Sequence, residues 1–203
     1  ETQLRALVQV AQQSDVRVLF PMVVGRHDLS RAAAALADVI TDLGVPKRPL
    51  LGAMIETPAA LFALEDILEL VDFLAIGTND LTQYMLVLDR DEAELSEACT
   101  PWHPLVLRAI RQVIKAAAVK DRPVCVCGEE AGEPGFACLL AGLGVRELSL
   151  SPVRAARVRH ALRGVRCQDT EEVAHKALGC SSPEEVRELL AGLFPSVHQQ
   201  TFS

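Results

Sequence analysis

The sequence predicts an α/β fold in which parallel strands alternate with helices, and three observations carry the prediction. Short apolar runs rich in Val, Ile and Leu recur along the 203 residues, each followed by a helical pattern. Half of the residues are hydrophobic but only 4% are aromatic, with Leu, Ala and Val dominant, as expected where helices cover a parallel sheet. Helix start and stop signals fall between the runs. Such alternation implies right-handed crossovers, and therefore a doubly wound sheet or a (β/α)8 barrel.

The elements follow in order. Residues 1–13, within "ETQLRALVQVAQQSD", carry an amphipathic helical pattern and none of the character of a signal peptide. The chain begins without methionine, which suggests a fragment or a processed chain. A first strand is expected at Val16–Phe20, then a helix over 29–43 with Asp28 as a candidate cap and Gly44 at its C′ position. Strand Leu50–Ile55 leads into a helix over 58–70, opened by Thr57 as N-cap with Pro58 at the first helical position. A third strand is expected at Phe73–Ile76. From Phe73 to the next strand start at Val124 the interval is 51 residues, against 23 from Leu50 to Phe73 and 23 from Val124 to Glu147. The long interval holds an extra polar segment, roughly 77–103, before a helix over 104–120. Strand Val124–Cys127, helix 134–142, strand Glu147–Leu150 and helix 152–162 complete the alternating series. Beyond Gly164, "DTEEVAHKALG" and "SSPEEVRELLAGL" read as two short helices, the second opened by Ser182 and Glu185 at capping-box spacing.

Composition removes several classes of function. A net charge of −7 with no basic stripe argues against a nucleic-acid binder, and the arginines of "SPVRAARVRHALR" suit a solvated helix face. Six cysteines (Cys99, Cys125, Cys127, Cys138, Cys167 and Cys180) form neither CxxC pairs nor a disulfide framework, so reduced thiols in a cytoplasm are expected. No apolar run approaches the ~20 residues of a membrane span. The five histidines form no metal spacing and no recognisable triad.

Polar groups gather at the carboxyl ends of the strands, the face on which α/β folds carry their sites. The second strand ends in "GAMIETP", presenting Glu56; the third in "AIGTND", presenting Asn79 and Asp80; the fourth in "VCVCGEE", presenting Cys127, Gly128 and Glu129. Glu56 and Asp80 are hard oxygen ligands on adjacent strands, suited to Mg²⁺ completed by water and substrate oxygens, or equally to capping the helices that follow them. Arg90 suits a planar anion, or a surface ion pair with Asp89 or Asp91. Asn79 can orient a ligand or satisfy a tight turn. Cys125 and Cys127 share a strand face; Cys125 reads as a buried small hydrophobe, and Cys127, at the strand end, is better placed to transfer a proton.

Taken together, "GAMIETPAA", "DFLAIGTNDLTQYMLVLDR" and "CVCGEEAG" resemble the phosphoenolpyruvate-utilising enzymes, in register from about Val16 to Arg163. They look more like enzyme I of the bacterial phosphotransferase system than like pyruvate phosphate dikinase or phosphoenolpyruvate synthase. The resemblance implies a (β/α)8 barrel of which about strands four to eight are present, over residues 1–164, followed by a helical tail over 165–203. It implies Glu56 and Asp80 as magnesium ligands, and Asn79, Asp80 and Arg90 as the phosphoenolpyruvate-binding groups. It implies Cys127 as the acid/base at C3 of the enolate. In that family two further substrate-binding arginines and a phospho-accepting histidine lie N-terminal to this stretch. The expected activity is therefore that of a longer phosphoenolpyruvate–protein phosphotransferase serving sugar uptake, and the chain alone is expected to form no phosphohistidine. Expected partners are phosphoenolpyruvate or pyruvate, a phosphocarrier protein engaged through the N-terminal domain, and a second copy, with 92–108 and Trp102 either in that dimer interface or anchoring a loop over the barrel mouth. The alternatives are a dikinase or synthase relative, or a non-catalytic dimerising or phosphoenolpyruvate-sensing module, against which the intact Glu56, Asp80 and Cys127 argue.

Overall fold

The computed structural model describes residues 2–89 and 98–193. Five strands, β1 (Arg17–Phe20), β2 (Leu50–Ile55), β3 (Phe73–Gly77), β4 (Val124–Cys127) and β5 (Glu147–Ser149), pair in chain order with every ladder parallel. A doubly wound sheet reverses its strand order at a switch point; this one steps in a single direction, as the wall of a barrel does. The register separates two faces. Val18, Leu51, Ala53, Ile55, Leu74, Ile76 and Val126 point outward and are buried beneath helices. Arg17, Leu50, Gly52, Met54, Phe73, Ala75, Gly77, Cys125, Cys127, Glu147 and Ser149 share the other face. That face is concave. Arg17 on one edge strand lies 5.6 Å over the Phe73 ring of β3 and meets Glu147 of the opposite edge strand at 3.2 Å. The architecture is an α/β arc of five strands from a (β/α)8 barrel.

Around the outside run α1 (Thr2–Ala11), α2 (Arg26–Leu43), α3 (Pro58–Phe62), α4 (Leu64–Leu68), α5 (Thr78–Leu86), α6 (Pro104–Val119), α7 (Pro134–Leu143) and α8 (Pro152–Arg163). Their apolar faces, among them Leu64, Ile67, Val106, Ile110, Phe136 and Leu139, form one core with the outward strand residues. Gly44 closes α2 in the left-handed region at φ 61°, as its C′ position predicts. Three expectations change. Helix α2 begins at Arg26, three residues early, because Gly25 is the N-cap and Asp28 reaches back to accept from the Val24 and Gly25 amides at 3.0 and 3.3 Å. The helix expected over 58–70 breaks at Ala63 into α3 and α4. The polar segment from 77 does not run on as loop: α5 starts directly after Gly77, which is both the last residue of β3 and the N-cap of the helix. Thr78, Asn79 and Asp80 have loop-forming chemistry, but here they make a first turn, with Asp80 at the favourable N-terminal end.

The tail supplies α9 (Cys167–Ala177) and α10 (Pro183–Leu193). Helix α9 packs so closely on α7 that a side-chain carbon on Gly142 would lie 2.0 Å from the Thr170 carbonyl oxygen. Ser182 accepts from the Glu185 amide at 3.3 Å while Glu185 accepts from the Ser181 amide at 2.8 Å, a reciprocal cap displaced by one residue from the spacing expected. Among the described residues no helix is long and apolar enough to cross a membrane.

Candidate functional site

The pleat of β2 carries the inward face from Met54 to Glu56, so the carboxylate arrives at the mouth of the arc, beside the ends of β3 and β4. Thr57 caps α3, its hydroxyl accepting from the Ala60 amide at 3.2 Å and donating to the Val23 carbonyl at 2.9 Å. Glu56 is thereby spared the capping role. It is 3% exposed, and its Oε1 accepts a 2.6 Å hydrogen bond from the Met22 amide, on a residue held at φ 53° in the loop after β1. Gly77 makes the remaining room: a side-chain carbon there would lie 2.7 Å from Glu56 Oε2. Asp80, at the third position of α5 and not its cap, approaches closely enough to hydrogen-bond the Glu56 carboxyl. Burial, outweighing the Met22 amide, and then the Asp80 charge hold Glu56 above the usual carboxylate range.

A buried carboxyl beside a second one is a site that a cation would relieve. Among the described residues no group of three or more His, Cys, Asp and Glu could hold a metal ion unaided. One or two carboxylates completed by water and substrate oxygens is, however, the usual protein share of a magnesium site, and the pair fits that share.

Across the mouth, the turn after β4 is braced from the first turn of α5. Thr78 donates to the Cys127 carbonyl at 2.9 Å, and Asn79 Oδ1 accepts from the Glu129 amide at 3.2 Å. Gly128 adopts φ 128°, and a side-chain carbon there would fall 2.1 Å from Thr78 Oγ1 and 2.9 Å from Asn79 Oδ1, so this position takes only glycine. The half-buried Cys127 thiol donates to the Ile76 carbonyl at 3.3 Å. Burial first, then the Glu56 and Asp80 charges, push it up, so it is protonated at neutral pH. Cys125, deeper on the same face, is pushed to about 11, chiefly by burial. An open cleft of about 440 Å³ lies against this turn, lined by Asn79, Cys127, Glu129, Ser149, Ser151 and Arg154. A larger groove of about 730 Å³, between α3–α4 and α6, lies in the outer helical layer and includes none of these residues.

Glu56, Asp80, Asn79 and Cys127 therefore come together at one end of the sheet, as their strand-end positions predict. Arg90 lies outside the described residues. Asn79 follows the turn reading, its side-chain carbonyl accepting from the Glu129 amide beside the cleft. Trp102 is 2% exposed, against Phe136, which makes it an internal anchor and withdraws it from a dimer interface. His103 caps α6 through Nδ1, which accepts from the Leu105 amide at 3.2 Å. Sequence reasoning missed Met22 and Thr78. Met22 acts through a backbone amide that any non-proline residue carries, and only the run "GTND" hinted at Thr78.

The family described as PEP-utilising enzyme, PEP-binding domain, matches residues 1–167. A multiphosphoryl transfer protein of Xanthomonas campestris is 42% identical over 192 residues, covering 94% of this chain and 23% of its own. A phosphoenolpyruvate-protein phosphotransferase of Cupriavidus necator is 38% identical over 189 residues, covering 91% of this chain and 32% of its own. The chain thus spans a third or less of these two relatives. In fold it is similar to a citrate lyase of Burkholderia xenovorans, with a TM-score of 0.63 over the whole of this chain and 72% of the other, at 15% identity. With a match that begins at the first residue and runs through the last helix of the barrel portion, the chain belongs to the PEP-binding domain family of the PEP-utilising enzymes.

Proposed function

We propose that the mouth formed by β2, β3 and β4 binds phosphoenolpyruvate with Mg²⁺, Glu56 and Asp80 holding the metal and Asn79 and Arg90 the anionic substrate. The observation that carries this reading is the Glu56 carboxyl, 3% exposed and set against Asp80, in a position a divalent cation would neutralise. Bound there, Mg²⁺ would supply charge stabilisation to the phosphoryl group and the enolate. Asn79 uses Oδ1 on the Glu129 amide, which leaves its NH₂ group to donate to a substrate oxygen. Cys127 is the acid. When the bridging P–O bond breaks, its electron pair stays with the enolate, C3 takes the thiol proton, and pyruvate and a thiolate result. A thiol kept protonated by burial and by two neighbouring carboxyls is ready for that transfer.

In the longer protein the phosphoryl group passes to a histidine of a separate N-terminal domain and then to a phosphocarrier protein, in a cytoplasmic homodimer serving sugar uptake. The names of the two relatives, a multiphosphoryl transfer protein and a phosphoenolpyruvate-protein phosphotransferase, support the transfer of a phosphoryl group from phosphoenolpyruvate to protein. The test is calorimetric titration of the chain with phosphoenolpyruvate, with and without Mg²⁺, in the parent and in Glu56→Gln. Magnesium-dependent heat lost in the variant is the expected result; binding indifferent to metal or to the substitution overturns the ligand assignment.

A further inference from the structure

The turn that places Cys127 is held from two more directions, neither of which the proposed chemistry uses. From α8, Arg154 Nη1 donates to the Glu129 carbonyl at 2.9 Å, and its stem fills the space beside Gly132, where a side-chain carbon would meet Arg154 Cδ at 2.5 Å. From the segment before α6, the Trp102 indole N–H donates to Glu130 Oε2 at 3.0 Å. Its ring rests on Phe136, centroids 5.2 Å apart. Helix α10 also reaches it: the Arg187 guanidinium lies 5.9 Å over the ring and bonds Thr100 Oγ1 at 3.3 Å. Trp102 is the chain's one tryptophan and is almost fully enclosed. Packing against Phe136 would be satisfied by a phenylalanine; an indole brings an N–H that must find a partner once buried. That partner is Glu130, three residues beyond Cys127.

We infer that Trp102 is a positioning residue for Cys127: by holding Glu130 it fixes the Gly128–Gly132 turn and hence the seat of the thiol, and α10 steadies it through Arg187. The acid/base meaning of that seat rests on the function proposed above; the mechanical link does not. Losing the N–H releases one end of the turn while leaving the ring's packing in place. The thiol then leaves its bond to the Ile76 carbonyl more often.

The experiment is alkylation of the native chain by iodoacetamide, followed cysteine by cysteine by mass spectrometry, in buffer without metal or phosphoenolpyruvate. Trp102→Phe and Glu130→Ala are expected to raise the Cys127 rate about fivefold, the population change that one net hydrogen bond controls. Glu130→Gln, which keeps an acceptor oxygen, is expected to stay within about twofold of the parent. Cys125, on the same strand, and buried Cys138 should keep their rates, because a general loss of stability would expose all three together. An unchanged Cys127 rate, or a parallel rise at the three thiols, overturns the inference. Because no ligand is present, a failed titration with phosphoenolpyruvate leaves this result standing, and the reverse holds equally.

Discussion

The two ends of the arc treat carboxylates in opposite ways. At the base, where the strands begin, Asp72 is gripped by both terminal nitrogens of Arg48 at 2.7 and 2.8 Å and accepts from the Leu51 amide at 2.8 Å. The Arg48 hydrogen bonds hold it below the usual carboxylate range in spite of partial burial. Glu147, also at the base, faces Arg17 across the concave side. At the mouth, Glu56 is more deeply enclosed, faces Asp80 in place of a guanidinium, and is pushed up. The base satisfies its charges within the protein and the mouth leaves its own unsatisfied. Stability accounts for the first arrangement; the second is the kind that marks a functional site, and it is the one the proposed cation would relieve.

The sharpest break of this comparison is Glu56→Gln. Magnesium-dependent phosphoenolpyruvate binding should fall about 100-fold or more, beyond the range seen for residues that merely support a metal ligand. In metal-free buffer at neutral pH the same variant should melt higher than the parent, because it removes a buried charge from beside Asp80 and keeps an oxygen for the Met22 amide. Calorimetry and thermal denaturation with EDTA read the two effects, and a variant that both binds and melts like the parent would break the contrast.

Asp72→Asn should do the reverse. It leaves Arg48 without its anion and should lower stability by about 1–2 kcal/mol, a charged hydrogen bond discounted for a guanidinium half in solvent. Binding at the mouth should be unchanged. Urea titration measures the first effect and calorimetry the second.

Acid titration separates the ends by sign. Asp72, depressed in the folded chain, contributes stability above its unfolded pKa that is lost as pH falls through the folded one. Glu56, raised, contributes stability below its unfolded pKa that is lost as pH rises through the folded one. In EDTA, the stability deficit of Asp72→Asn should therefore shrink toward low pH. The advantage of Glu56→Gln should grow as pH rises past about 4–5, the ordinary carboxylate range. Parallel pH profiles for the two variants would remove the distinction.

How much of this the sequence discloses follows the same division. Strands Leu50–Ile55 and Val124–Cys127 were legible because their outward residues must be apolar to lie beneath helices, and that constraint writes itself as composition. Their periodicity alone did not order the sheet, since a parallel run reads alike in a doubly wound sheet and a barrel; the motif resemblance supplied the barrel. Helix α5 was missed because Thr78, Asn79 and Asp80 have loop-forming chemistry and their helix follows β3 with no side-chain cap to announce it. Glu56, Asp80 and Cys127 were visible as misfits, polar groups ending apolar strands. The side chains and amides that seat them were silent: Met22 serves by its backbone, and Trp102 and Glu130 lie 28 positions apart.

The smallest effect belongs to the pair that spans the concave side. Arg17 and Glu147 are each about half exposed, at 48% and 50%, and their bond is long at 3.2 Å. Exposed pairs of this kind contribute about 0–1 kcal/mol, because water screens them and two long side chains must be held still. Arg17 also covers the Phe73 ring, so its truncation would mix lost packing with lost charge. Glu147→Gln isolates the charge and is expected to change stability by less than about 1 kcal/mol, with the change disappearing in about 1 M salt. The substitution removes a negative charge that raises Cys125, whereas the charges that raise Cys127 are those of Glu56 and Asp80. Cys125 should then alkylate faster at high pH while Cys127 keeps its rate. Equal acceleration of both thiols would mean that base and mouth form one electrostatic unit, and the contrast between them would fail.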